Sequence, residues 1–208
     1  MAIFDLALIF SVLVVFLGLL GMLIALVTRR WAVLRRLALG LAIYVSAYGL
    51  LLVGVALLSP QQVLSMHQIR CFDDWCVSVE QVEQQPTIGT IQPQGVFYLV
   101  TVQVSSQARR INQRALDAAV HLVDDRGRRY NPSPQGQQAL EAAGQAGQPL
   151  NSMVEAGGFF THTAVFDLPS ETAQLGLVTT HGAFPNVIII GNDQSLLHKP
   201  TIVRLSIP

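Results

Sequence analysis

Few side chains in this 208-residue chain carry reactive chemistry. Its two cysteines, Cys71 and Cys76, bracket Phe72-Asp73-Asp74-Trp75. That spacing is not the C-x-x-C of a redox pair, and two thiols without a second ligand pair make a poor zinc site even with Asp73 and Asp74 added. A structural disulfide closing a small loop is the favoured reading. The five histidines, His67, His121, His162, His181 and His198, form no H-x-H or H-x-x-x-H pair. His121 and His162 fall on expected strands, so a metal site between them competes with two singly packed rings. Asp124-Asp125-Arg126-Gly127 opens like a calcium loop but lacks the later ligands and the closing Glu, so it reads as a turn. No Ser sits in G-x-S-x-G. Gly144-Gln145-Ala146-Gly147 lacks the Lys-Ser/Thr of a phosphate cradle. No enzyme, metal or cofactor is expected.

The elements that position these residues begin with two uncharged apolar runs, 6–27 and 37–58. Each exceeds the roughly 18 residues that mark a membrane-spanning helix. The connection 28–36 holds Arg29, Arg30, Arg35 and Arg36, no Lys or Arg precedes it, and none follows before Arg70. The positive-inside rule puts such a loop in the cytoplasm, with Trp31 at headgroup level. Everything after residue 59 then lies on the other side. The expected location is a bacterial inner membrane, crossed twice, with a periplasmic C-terminal domain. A cleaved signal peptide is the competing reading, but the first run has no basic n-region and ends in Val27-Thr28-Arg29-Arg30.

Neither run contains His, Cys, Asp, Glu, Lys, Arg, Asn or Gln. Transport or electron transfer through these two helices alone is therefore not expected. Gly18, Gly21, Gly40, Gly49 and Gly54 are candidate helix-docking positions, because small residues let membrane helices approach closely. Ordinary membrane-helix composition, which also favours Gly, is the alternative.

Residues 1–60 form the expected hairpin, 61–70 a linker, and 71–208 a single outer domain. The chain is formally neutral, with 13 basic and 13 acidic residues. Nine of those basic and twelve of those acidic residues follow the hairpin, a net −3 that gives no support for nucleic-acid binding. Strand patterns cover 76–82, 96–104, 119–123, 159–168, 175–180 and 201–207, and the run 187–190 is apolar enough to be a buried strand. Residues 124–130 read as a turn, and 137–143 as a short exposed helix. Short strands with regular turn signals argue for an antiparallel β-sandwich. Arg109, Arg110 and Arg114 with Arg126, Arg128 and Arg129 make a basic patch if both loops lie at one end. Such a patch suits an acidic partner or anionic headgroups, and otherwise it is a solvated rim.

Several segments in order resemble a known family. They are Cys71-Phe72-Asp73-Asp74-Trp75-Cys76 with its Val-rich strand, the strand 97–104, and Leu122-Val123-Asp124-Asp125-Arg126-Gly127-Arg128-Arg129-Tyr130. Val165-Phe166-Asp167-Leu168-Pro169 and the closing stretch 189–200 complete the set. The whole is similar to the bacterial immunoglobulin-like (telokin-like) extracytoplasmic domains of unknown function. The resemblance implies an Ig-like sandwich over about 71–205 and no catalytic residues, and a two-helix anchor departs from it.

The expected protein is therefore membrane-anchored and all-β outside the bilayer: two transmembrane helices followed by an antiparallel Ig-like β-sandwich. The expected role is a non-catalytic accessory subunit whose hairpin docks to other integral-membrane subunits, with membrane lipid as the other partner. The alternative is a stand-alone ligand-binding or sensing module.

Overall fold

The computed structural model describes residues 3–170 and 174–206. Two long helices come first, α1 (Ile3–Val27) and α2 (Trp31–Leu58). The strands and two further helices follow: β1 (Val63–Ser65), β2 (Arg70–Phe72), β3 (Trp75–Gln85), β4 (Val96–Ser106), β5 (Gln113–Arg114), β6 (Ala119–Val123), β7 (Arg129–Tyr130), α3 (Pro134–Ala142), β8 (Met153–Val154), β9 (Phe159–Leu168), β10 (Gly176–Thr180), a kinked single turn α4 (Ala183–Asn186) and β11 (Ile202–Arg204).

The turn between α1 and α2 is tighter than the expected loop 28–36. Arg29 takes a left-handed φ of 54°, its N–H bonds the carbonyl of Leu26, and the N–H of Arg30 bonds that of Ala25. This is a Schellman cap with arginine where glycine is usual. It closes the first helix in three residues, so α2 begins at Trp31 rather than at 37, and Arg35 and Arg36 are helical. Gly18 and Gly21 allow the two helices to approach. A Cβ on Gly18 would stand 3.3 Å from Leu41, and one on Gly21 3.2 Å from Leu37. Gly40, Gly49 and Gly54 face open space.

One compact unit comprises residues 1–60 together with 184–199, and the other comprises 61–183 and 200–208. This corrects the expected division in two places. The segment 61–70 is no linker, because it carries β1 and the start of β2. The apolar run 187–190 is no strand. It lies in a turn-rich segment that belongs with α1 and α2.

The second unit is a β-sandwich. One sheet has the order β1-β11-β10-β6-β7, the other β2-β3-β4-β9. Pairing is antiparallel except where β1 runs parallel to β11. Alternate residues explain the core. Tyr98, Val100, Val102 and Val104 of β4 meet Phe160, Ala164 and Phe166 of β9, Val120 and Leu122 of β6, and Leu177 of β10. The opposite face of β4 and β9 is also covered. Phe97, Leu99 and Val165 form a second cluster with Leu140 of α3, Ile88 and Ala146. Leu140 is fully buried, so α3 is not the exposed helix that its Gln-, Ala- and Gly-rich sequence predicts. Ser133 caps it by accepting from the N–H of Gly136. Gly136 lets it lie close, since a Cβ there would stand 2.7 Å from Val165 and 3.1 Å from Phe97.

Candidate functional site

Cys71 and Cys76 are bonded as a disulfide and face each other across β2 and β3. Phe72 pairs with Trp75, leaving Asp73-Asp74 as a two-residue turn in which Asp73 has a φ of 55°. Positive φ at the first central position belongs to the II′ hairpin turn, where glycine is usual.

Behind this turn lies an aromatic cluster. The His181 ring stands 5.3 Å from Trp75 and 6.0 Å from Phe72, and the Arg70 guanidinium covers Phe72 at 4.4 Å. Asp117 bonds His181 Nδ1 at 2.5 Å and accepts from the N–H of Gly182 at 2.8 Å. Arg70 donates to the carbonyl of Thr179 at 2.8 Å. The cluster ties the start of β3 to the end of β10, and Asp117 serves as an anchor for the backbone at 181–182.

The other histidines do not converge. His67 pairs with Glu80 at 3.3 Å, and His198 Nδ1 lies 2.8 Å from the carbonyl of Lys199. His121 sits between the core residues Val120 and Leu122, so its ring is on the outer face of its sheet. His162 shares the inward face of β9 with Phe160 and Ala164, and its Nδ1 lies 2.9 Å from the carbonyl of Gln148. Burial, reinforced by the Arg129 charge, pushes the His121 imidazole down to about 4. Burial also lowers His162, against the opposing pull of the Gln148 carbonyl and Glu141. No group of three or more His, Cys, Asp or Glu side chains among the described residues is placed to hold a metal ion.

Asp124 organises the turn between β6 and β7. Its carboxylate accepts from the N–H of Arg126 and of Arg128, from Arg128 Nε at 2.6 Å and from the Tyr130 hydroxyl at 3.2 Å. Burial pushes this carboxyl up, but the Arg128, backbone and Tyr130 hydrogen bonds outweigh it and hold it below the usual range. The oxygens that a calcium ion would need are used by the turn itself.

The arginine patch expected from the sequence is divided. In the β6–β10 pair, Ala119 lies opposite Thr180 and Val123 opposite Gly176. Asp117 and His181 therefore stand beyond one end, and the 124–128 turn beyond the other. The N–H of Gln107 bonds the carbonyl of Asp74, which brings Arg109 and Arg110 to the His181 end. Arg126, Arg128 and Arg129 belong to the far end. Arg114 is engaged with the carbonyl of Asn151 at 2.9 Å, and Arg129 with Asn131 at 3.1 Å.

A site that sequence reasoning missed lies in the other unit. The Tyr48 hydroxyl, on α2, donates to the carbonyl of Ile188 at 2.7 Å. Tyr44 and Ser11 are joined at 2.8 Å, linking α2 to α1. Ile189, Ile190 and Ser195 of the turn-rich segment are buried, as are Leu52 and Ala56 one and two turns beyond Tyr48. An apolar tetrapeptide flanked by Pro185 and Gly191 carries no mark distinguishing a sandwich strand from a helix-bound turn.

No protein-family model matches this chain, and no curated protein matches it. Solved structures show a slight likeness. A conserved hypothetical protein from Bacillus anthracis has a TM-score of 0.44 and 13% identity over 56% of this chain and 89% of its own. An uncharacterised β-sandwich protein from Clostridium difficile has a TM-score of 0.41 and 7% identity over 71% and 96%. The secreted protein MPT63 of Mycobacterium tuberculosis has a TM-score of 0.42 and 11% identity over 60% and 92%.

Proposed function

We propose that the chain is a two-pass membrane protein serving as a non-catalytic accessory subunit of a larger integral-membrane assembly. The observation that carries this is the outward apolar surface of the helix pair. Leu6, Phe10, Phe16, Leu39, Leu50 and Leu58 are among many large side chains more than half exposed there. Patches of a few hundred Å² already mark interaction sites in soluble proteins, and this surface runs the length of two helices. The arginines add direction. A helix N-terminus disfavours cations, yet α2 has no acidic residue in its first turn and carries Arg35 and Arg36 in its second. Helix stability does not account for that placement, whereas the positive-inside rule does. On this reading the sandwich is an Ig-like, telokin-like domain on the extracytoplasmic side.

Gly40, Gly49 and Gly54 face open space on α2, which suits close approach by a partner helix. Photo-crosslinking residues at Gly49 and Gly54 in the native membrane test this. Adducts with one defined multispan protein are expected, and adducts with lipid alone would overturn it. The stand-alone sensing module is favoured by a hollow of about 230 Å³ beside Leu116, Gln137, Glu141, Asn151 and His162. A small-molecule-dependent rise in melting temperature, abolished by filling that hollow, would support it.

A further inference from the structure

We propose that residues 184–199 are a third membrane-embedded element, lying in the outer leaflet against α2 and contacting lipid acyl chains. The inference rests on the membrane reading above and adds an element to it. Depth comes from the helix ruler. Tyr48 lies twelve residues beyond Arg36 and ten before Leu58, about 18 Å and 15 Å at 1.5 Å per residue. With Arg36 at the cytoplasmic boundary of a core about 30 Å thick, the Ile188 carbonyl held by Tyr48 falls roughly 12 Å inside the outer boundary.

Non-helical backbone survives at that depth only if its polar groups are satisfied. This segment meets that condition in part, by successive turns, while the buried Ser195 hydroxyl has no partner among the described residues. The N–H of Ile189 bonds the carbonyl of Asn186, Asn192 that of Ile189, Ser195 that of Asn192, Leu196 that of Val187, and His198 that of Ser195. The N–H of Gln194 bonds the Asn192 side chain, and Tyr48 takes the Ile188 carbonyl. The side chains divide in the way an interfacial element requires. Ile189 and Ile190 are buried, whereas Phe184, Leu196 and Leu197 are 78%, 52% and 59% exposed, a waste of apolar surface in water. Asp193 and Lys199 set the other limit, since a charge at the bilayer centre is costly and one near the headgroups is not. The outer leaflet satisfies both limits.

The test uses the full chain in phosphatidylcholine vesicles, with an environment-sensitive fluorophore on single added cysteines at Phe184, Leu196 and Leu197. Nitroxide-labelled lipids supply the quencher. Leu51 of α2, itself exposed, reports the span, and Glu83 of β3 reports water. Quenching at the three loop positions several-fold above that at Glu83 is expected. Quenching no greater than at Glu83, with Leu51 quenched, would overturn the loop inference and leave the anchor standing. Failure at Leu51 as well would overturn both.

Discussion

The Tyr48 hydroxyl and the Ile188 carbonyl meet at 2.7 Å across 140 positions of sequence. That single bond joins α2 to a segment inserted between β10 and β11. Tyr48→Phe keeps the ring and removes the donor, leaving a part-buried carbonyl unpaired at a cost of about 1 kcal/mol. We expect faster hydrogen exchange over 184–199, with exchange in β3 and β4 unchanged. Uniform loosening of both units would contradict a local role for the bond.

The disulfide closes a very short loop. The chain-entropy relation gives about 2 kcal/mol for a bridge across roughly six residues. The Cys71→Ala/Cys76→Ala double variant should therefore lose about that much stability, unfold at lower denaturant concentration and keep its sandwich. Complete loss of folding would show that the bridge does more than close the β2–β3 turn.

Asp73 holds a φ of 55°, in the region that glycine occupies without steric cost. Asp73→Gly should raise the unfolding free energy by about 0.5–1 kcal/mol, because relief of left-handed strain exceeds the added freedom of the unfolded chain. A lowered midpoint would mean that the Asp73 side chain contributes more than its backbone strain costs.

Buried His121 makes the sandwich sensitive to acid. Its pKa is lowered to about 4, from a usual value near 6.5. Between those values the unfolded chain binds the extra proton, so stability is complete above about pH 6.5, falls as pH drops towards 4, and levels off below. The whole window is worth on the order of 3 kcal/mol. His162 adds in the same direction. Denaturation midpoints measured from pH 7.5 to 4 should show this slope, and His121→Gln should flatten it. An unchanged slope in that variant would assign the acid sensitivity elsewhere.

Much of this was legible in the sequence because its signals were local. Uninterrupted apolar runs gave α1 and most of α2, period-two alternation gave much of β3 and β9, and Asp-Asp-Arg-Gly gave the β6–β7 turn. What was not legible depended on tertiary placement. The start of α2 moved to Trp31 because Arg29 supplies a left-handed cap that glycine usually provides. Leu140 went inside because Gly136 lets α3 lie against Phe97 and Val165, a contact 29 positions away. The arginines of 109–114 and 126–129 were separated because β6 runs from one end of the sandwich to the other. The run 187–190 read as a buried strand because apolar tetrapeptides look alike whether a sheet or a helix covers them.

The measurement that bears most directly on the central claim is the native mass of the protein released in mild detergent from its own membrane, with each chain's intact mass read from the same sample. The account predicts an uncleaved chain, about 22.6 kDa, co-migrating in fixed ratio with a multispan membrane protein. A chain shortened by removal of α1, or an intact chain migrating alone, would contradict it.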